Sequence, residues 1–235
     1  MHTYRIADIT VMMNCTGETL REQGRSYVLS PFATGESTDI TIDCNDLQHN
    51  KEKYPQLSLN EWEYIQTGFV FYRELLNFNG FCLHSSAVAL ENRAILFSGP
   101  SGAGKSTHTN LWLQYFGPDK AVIINDDKPA LRLLNDTFYV YGTPWSGKSS
   151  LNINIRVPLK AIIFLKQEKE NQIRQLNNKE AVQLLIYQSI LPQDREKMDR
   201  LLTLLDVLLH KIPVYQLGCT INTETVKLVH DTLNQ

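Results

Sequence analysis

Three groups of residues carry the chemistry open to this sequence. The first is Gly99-Pro100-Ser101-Gly102-Ala103-Gly104-Lys105-Ser106, which fits the G-x-x-x-x-G-K-[ST] pattern of a phosphate-binding loop (Walker A) at every constrained position. Glycines in such a turn let successive backbone N–H groups point inward at phosphate oxygens, and the positive end of the helix that follows adds to the same field. Lys105 would then supply a mobile charge for the outer phosphates, and Ser106 an oxygen for Mg²⁺. Gly99, Ser101, Gly102, Ala103, Gly104, Lys105, Ser106 and Thr107 are the candidate nucleotide-binding residues.

The second group is Asp126-Asp127, placed directly after the apolar run Ala121-Val122-Ile123-Ile124 and Asn125. Phosphoryl transfer needs charge neutralised on the phosphate oxygens, Mg²⁺ held, and the attacking oxygen oriented or deprotonated. Adjacent carboxylates at a strand end diverge, so one can serve the metal and the other the acceptor hydroxyl. The plainer alternative makes one of them an ordinary metal-side carboxylate and the other a turn residue. The third group is His84 alone, which by itself reads equally as a hydrogen-bonded core histidine on an apolar strand. Two residues of the Gly142–Lys148 loop also stand open to more than one reading. Lys148 fits a lid, a substrate contact or a solvated surface charge, and Trp145 fits packing or ligand stacking.

Positioning these groups requires a strand into the glycine loop and a helix out of it. Ala94–Phe97 supplies a buried β-prone run, and Ser106–Tyr115 a helix. Ala130–Leu134 and Thr137–Tyr141 flank Asn135-Asp136, a hairpin signal, and Leu159–Leu165 is another buried strand. Helical spacing covers Leu59–Asn77, with Trp62, Ile65, Phe69 and Leu75 or Leu76 as its core stripe, and also Glu180–Ile190 and Asp194–Leu209. Phe81–Leu90 and Pro213–Cys219 read as strands, and Asn222 or Thr223 as the cap of a terminal helix. Ahead of all this, Tyr4–Met12, Ser26–Leu29 and Thr38–Asp43 read as short strands. The expected organisation is therefore a small β-rich lobe over 1–58 and a larger α/β nucleotide-binding domain over 59–235.

Composition narrows the partners. The formal net charge is −2, which gives no general attraction for nucleic acid or an anionic membrane, and no apolar run reaches the roughly 18 residues a membrane span needs. Cys15, Cys44, Cys82 and Cys219 are scattered without a C-x-x-C pair, so neither a zinc site nor a disulfide framework is expected, and a reducing cytoplasm is. The sequence leaves homo-oligomerisation open.

Taken together and in order, Leu83-His84-Ser85-Ser86-Ala87, the glycine loop and Ile123-Ile124-Asn125-Asp126-Asp127 resemble the HPr kinase/phosphorylase group and its relative, ATP-dependent phosphoenolpyruvate carboxykinase. The resemblance runs over residues 81–165. It implies a phosphate-loop domain with a mixed sheet, ATP and Mg²⁺ as cofactors, and transfer of a phosphoryl group to a peptide, protein or small-molecule hydroxyl. It further implies Asp126 as general base, Ser106 and Asp127 on Mg²⁺, Lys105 on the outer phosphates, and His84 beside the transferred group. Leu151–Arg156 lacks the glutamate-containing signature of HPr kinases proper, so the chain looks more like the small HPr-kinase-like proteins. Two other activities fit the same residues: a nucleotide-dependent switch with little transfer, and the reaction run backwards with inorganic phosphate.

Overall fold

Residues 1–30, 37–48, 51–220 and 222–235 are described in the structure, a computed structural model. In chain order the elements are β1 (His2–Ile6), β2 (Ile9–Met13), α1 (Glu18–Gln23), β3 (Ile40–Ile42), α2 (Cys44–Gln48), α3 (Leu59–Leu75), β4 (Gly80–Cys82), β5 (Ser85–Leu90), β6 (Arg93–Ser98), α4 (Lys105–Phe116), β7 (Ala121–Asn125), β8 (Ala130–Leu134), β9 (Thr137–Tyr141), β10 (Arg156–Gln167), β11 (Gln172–Gln175), α5 (Asn178–Gln188), α6 (Arg195–Lys211), β12 (Val214–Cys219) and α7 (Thr223–Leu233). Strands β1, β2 and β3 form a small N-terminal sheet, and the others a mixed sheet in the order β4-β8-β9-β10-β6-β5-β7, with β12 also on β10 and β11 on β12.

β10 explains why the large sheet is mixed. Its first residues run antiparallel to β9, and its second half runs parallel to both β6 and β12. Residues Ala161–Leu165 are buried on both faces, as a parallel core strand requires. On one face, α5 and α6 pack through Leu185, Leu201, Leu204, Leu205 and Leu208, whose i, i+3, i+4, i+7 spacing on α6 makes a single apolar stripe. On the other, α4 and α7 pack through Trp112, Val226 and Val229 against Ile95, Phe97 and Ile163. At roughly 1.5–3 kcal/mol for each buried large apolar side chain, these two faces hold the sheet rigid beneath the glycine loop.

Local signals set the element ends. Ser58 and Glu61 cap α3 reciprocally, Asn177 and Glu180 do the same for α5, and Asn222 caps α7. Asn135 and Asp136 take φ of +47° and +65° between β8 and β9, the primed turn expected of that pair.

Several expectations need correction. Tyr4–Met12 is a hairpin, β1 and β2, turned at Ala7 and Asp8 with φ of +52° and +59°. Tyr27 ends a short 3₁₀ turn, so Ser26–Leu29 contributes one bridge, Val28 to Tyr4, and no strand. On α3 the buried face is Trp62, Glu63, Thr67, Phe71, Tyr72 and Leu75, because these face the N-terminal sheet and Trp145; Ile65 and Phe69 point outward. Phe81–Leu90 breaks at Leu83-His84, where the chain leaves β8 for β6. Cys15 and Cys44 are joined by a disulfide, since β2 and β3 pair in parallel and end two residues short of each cysteine. That bond removes the argument for a reducing compartment from the thiols. Among the described residues, no helix is long and apolar enough to cross a membrane.

The N-terminal sheet shares one core with α3, β4, β8 and β9, through Tyr4, Ile6, Leu20, Phe71, Tyr72, Tyr141 and Trp145. Buried polar contacts cross the same seam: Arg132 Nη1 donates to the Ala7 carbonyl at 2.6 Å, and the Thr16 and Gly17 N–H groups donate to Glu63 Oε2 at 3.1 and 2.7 Å.

Candidate active site

The glycine loop joins β6 to α4, as its sequence requires. Gly102 and Gly104 take φ of +80° and +94° with no heavy atom within 4 Å of where a Cβ would stand, so backbone conformation and not crowding calls for glycine there. Lys105 Nζ donates to the carbonyls of Gly99 (3.0 Å) and Pro100 (3.2 Å), folding back over its own loop. Gln167 Nε2, at the end of β10, donates to the Gly102 carbonyl at 3.0 Å and tethers the loop from outside. Ser101, Gly102, Ser106 and Thr107 are exposed. Burial lowers the Lys105 pKa, and the charges of Asp127 and Asp126 offset part of that effect; the ammonium and both carboxylates thus occupy one electrostatic neighbourhood.

The aspartates leave β7 through a turn held by Asn125, whose Oδ1 accepts from the N–H groups of Asp127 (3.0 Å) and Lys128 (2.8 Å) while Nδ2 donates to the Thr143 carbonyl (2.9 Å). The two carboxylates consequently diverge. Asp126 turns inward and is 7 % exposed; its Oδ1 accepts from Ser86 Oγ at 2.6 Å, and Ser86 is itself 2.8 Å from Thr109 Oγ1 on α4. Asp127 takes His84 Nε2 on Oδ1 at 3.1 Å and Lys128 Nζ on Oδ2. Burial raises the Asp127 carboxyl, but the hydrogen bond from His84 and the Lys128 charge outweigh it and leave the group below the ordinary carboxylate value.

His84 sits in the break between β4 and β5 and is fixed on three sides. Its N–H donates to the Gln188 carbonyl at 2.9 Å, its Nδ1 lies 3.1 Å from Gln188 Oε1, and its own carbonyl accepts from Ser98 Oγ at 2.8 Å, at the foot of the glycine loop. The loop after β9 closes the other flank. Gly147 has φ +71°, and a Cβ there would stand 2.9 Å from Asp127 Cβ. Gln23 and Tyr64 hold that loop in place: Gln23 Nε2 donates to the Gly147 carbonyl at 3.0 Å, and the Gly147 N–H donates to Tyr64 Oη at 2.9 Å.

The structure therefore gathers His84, Lys105, Asp126 and Asp127. Among the described residues, no hydrogen bond or ion pair joins Trp145 or Lys148 to them. Trp145 is buried, stacked on Phe71 and bonded to Thr67 Oγ1 at 3.2 Å, while Lys148 is exposed within electrostatic reach of Glu61. Ser86 and Gly147, which lie inside stretches marked by the sequence but had no role assigned, and Thr109, Lys128 and Gln188, which the sequence did not single out, complete the arrangement. Thr109 follows Lys105 by one helical turn and Lys128 follows Asp127 directly, so position alone could have suggested them; nothing local marks Gln188.

The family model described as SynChlorMet cassette protein ScmC matches residues 44–231. No curated protein matches the chain. Among solved structures, the Hpr(Ser) kinase/phosphatase from Coxiella burnetii is similar with a TM-score of 0.38 and 10% identity, covering 66% of this chain and 99% of that one.

Proposed function

The chain belongs to the family of SynChlorMet cassette protein ScmC, and we propose that it is a Mg²⁺-dependent phosphotransferase moving the γ-phosphoryl group of ATP to a hydroxyl on a peptide or protein serine or on a small molecule. One observation carries the reading: Lys105 of the glycine loop shares its surroundings with a His84–Asp127 pair and a second carboxylate, Asp126, drawn from three separate segments. A glycine loop alone suits any nucleotide-binding protein. Transfer needs in addition a metal-side carboxylate and a group that takes the acceptor proton.

For the two aspartates we propose the reverse of the roles that the family resemblance implies. Asp127 accepts on Oδ1 from an imidazole that Gln188 aligns, and its Oδ2 would take the acceptor's proton once Lys128 Nζ turns from it to the phosphates. Asp126 has one oxygen fixed by Ser86, and its Oδ2 has no hydrogen bond among the described residues, which suits a metal-side carboxylate oriented from behind. Asp126 and the exposed Ser106 hydroxyl would hold Mg²⁺, an ion commonly bound through one or two carboxylates plus waters and substrate phosphates. When bound there, the ion would neutralise charge on the phosphate oxygens. Lys105 swings from the carbonyls of Gly99 and Pro100 to the outer phosphates. The acceptor oxygen bonds to the γ-phosphorus as its proton passes to Asp127, the bond from γ-phosphorus to the bridging oxygen breaks, and ADP leaves.

Incubation with γ-labelled ATP, Mg²⁺ and pools of peptides or metabolites tests the proposal. The expected result is label on an acceptor hydroxyl. Label released only as free phosphate would overturn it in favour of a nucleotide-dependent switch.

A further inference from the structure

A cavity of about 540 Å³ opens between the glycine loop and the C-terminal end of α5, lined besides the loop by Leu165, Gln167, Leu184, Tyr187, Gln188 and Gln216. We propose that it is a nucleobase subsite, taking the purine of the bound nucleotide against the ring of Tyr187. The inference rests on the nucleotide reading above and adds to it where the base goes.

Topology carries the argument. Asp126 and Asp127 follow β7, which lies two strands to one side of β6 with β5 between, whereas β10 and then β12 lie on the other side. The glycine loop rises from the end of β6, in the middle. A triphosphate cradled there with its γ-phosphate toward Asp127 must send its nucleoside the opposite way, over the ends of β10 and β12, where the cavity stands. An acceptor hydroxyl, by contrast, has to approach from the Asp127 side.

The lining suits a flat uncharged ring. Tyr187 is 79 % exposed and makes no ring contact among the described residues, so its face is open to stacking. Gln167 Nε2 is engaged by the Gly102 carbonyl and Gln216 Oε1 by Arg174, which leaves Gln167 Oε1 to accept and Gln216 Nε2 to donate. The two cations at the border are paired: Lys166 Nζ lies 2.6 Å from Glu168 Oε1, and Arg174, which donates to Gln216 Oε1 at 3.1 Å, has Nη2 2.9 Å from Glu180 Oε1. Leu165 and Leu184 supply apolar surface beside the ring. Gln188 belongs both to this wall and to the His84 pair, so the end of α5 spans from base to reacting phosphate.

Calorimetric titration of the full chain with Mg-ATP and with Mg-tripolyphosphate tests this. Wild type should bind ATP more tightly than tripolyphosphate. Tyr187→Ala, at an exposed position that folding does not need, should weaken ATP roughly 5- to 100-fold, the usual worth of base–aromatic stacking, and leave tripolyphosphate unchanged. Tyr187→Phe should retain ATP affinity. Unchanged ATP affinity in Tyr187→Ala, with or without a raised KM for the acceptor, would overturn the subsite, as would equal losses for both ligands. Wild type binding the two ligands equally would also overturn it while sparing the glycine loop's role; wild type binding neither would overturn the nucleotide reading itself.

Discussion

The glycine loop and the carboxylate corner meet at Lys105, yet they are held in different ways. The loop takes its shape from its own consecutive residues, with left-handed glycines at 102 and 104 and, among the described residues, one outside side-chain tether from Gln167. The corner is a convergence: Ser86 and Thr109 behind Asp126, His84 and Gln188 beside Asp127, and Gly147 pressed against it, with Gln23 and Tyr64 supporting Gly147 from far along the chain. A part that grips phosphate can be encoded in one short stretch, because backbone amides and one ammonium are enough. A part that moves a proton needs side chains of set orientation, and the whole chain down to α1 contributes to that orientation.

The largest expected effect separates the two directly. Asp127→Asn keeps the size of the side chain and removes its basicity, so transfer should fall roughly 10²- to 10⁴-fold with ATP affinity nearly intact. Lys105→Ala should do the opposite first, weakening ATP roughly 10- to 100-fold, because the charged contact it removes exists before the reaction as well as during it. Single-turnover rates and equilibrium binding on both variants check the contrast. If Asp126→Asn, and not Asp127→Asn, abolished transfer while sparing binding, the roles would be exchanged back.

The same contrast governs what the sequence made legible. The loop, the strand into it, α4 and the hairpin at Asn135-Asp136 are short-range, with a β-prone run, glycines and a turn pair at fixed offsets, and they lie where those signals put them. Asp126-Asp127 and His84 could be marked as chemical groups, but nothing in their neighbourhoods said that they would divide as they do. Ser86 pins one aspartate and the break after β4 aims His84 at the other, and both depend on β5 pairing with β6 and on α5 returning to meet Leu83. The misread N-terminal segment has a related cause. Ala7-Asp8 is a primed turn without glycine or asparagine, and Cys15 and Cys44 come together only because β2 and β3 lie side by side.

Mild acid should reach the loop's foundation before it reaches the corner. His108, one turn into α4, is buried with its ring 4.4 Å from that of Phe97 on β6, and its Nε2 has no hydrogen-bond partner among the described residues. Burial pushes its pKa from 6.5 down to about 4. The unfolded chain therefore binds a proton that the folded chain refuses, and stability falls as pH drops from about 6.5 to about 4, by roughly 3 kcal/mol in all. Asp127 behaves otherwise. Its folded pKa is depressed, so its contribution is present above the ordinary carboxylate value and is lost only as pH falls through and below that value. His108→Leu should flatten the denaturation midpoint between pH 6.5 and 4 relative to wild type. An unchanged slope there would mean that His108 is not the group responsible.

Gly147 and Gly117 offer the finest test, because both take a positive φ and differ in surroundings. Their φ values are +71° and +80°, the latter with ψ 159°, so alanine at either should cost about 1–3 kcal/mol from backbone strain alone, a fall of roughly 2–12 °C in Tm for a chain of this size. Around Gly117, at the end of α4, nothing lies within 4 Å of the added carbon, so Gly117→Ala should lose stability and keep its transfer rate. At Gly147 the added carbon would stand 2.9 Å from Asp127 Cβ and 3.2 Å from Cγ, closer than either atom can accept without moving. Gly147→Ala should therefore lose stability and, in addition, shift Asp127 against His84, lowering the transfer rate with ATP affinity unaffected. Equal transfer rates in the two variants, at equal Tm, would mean that the loop carrying Gly147 supports the fold and does not set the position of the carboxylate.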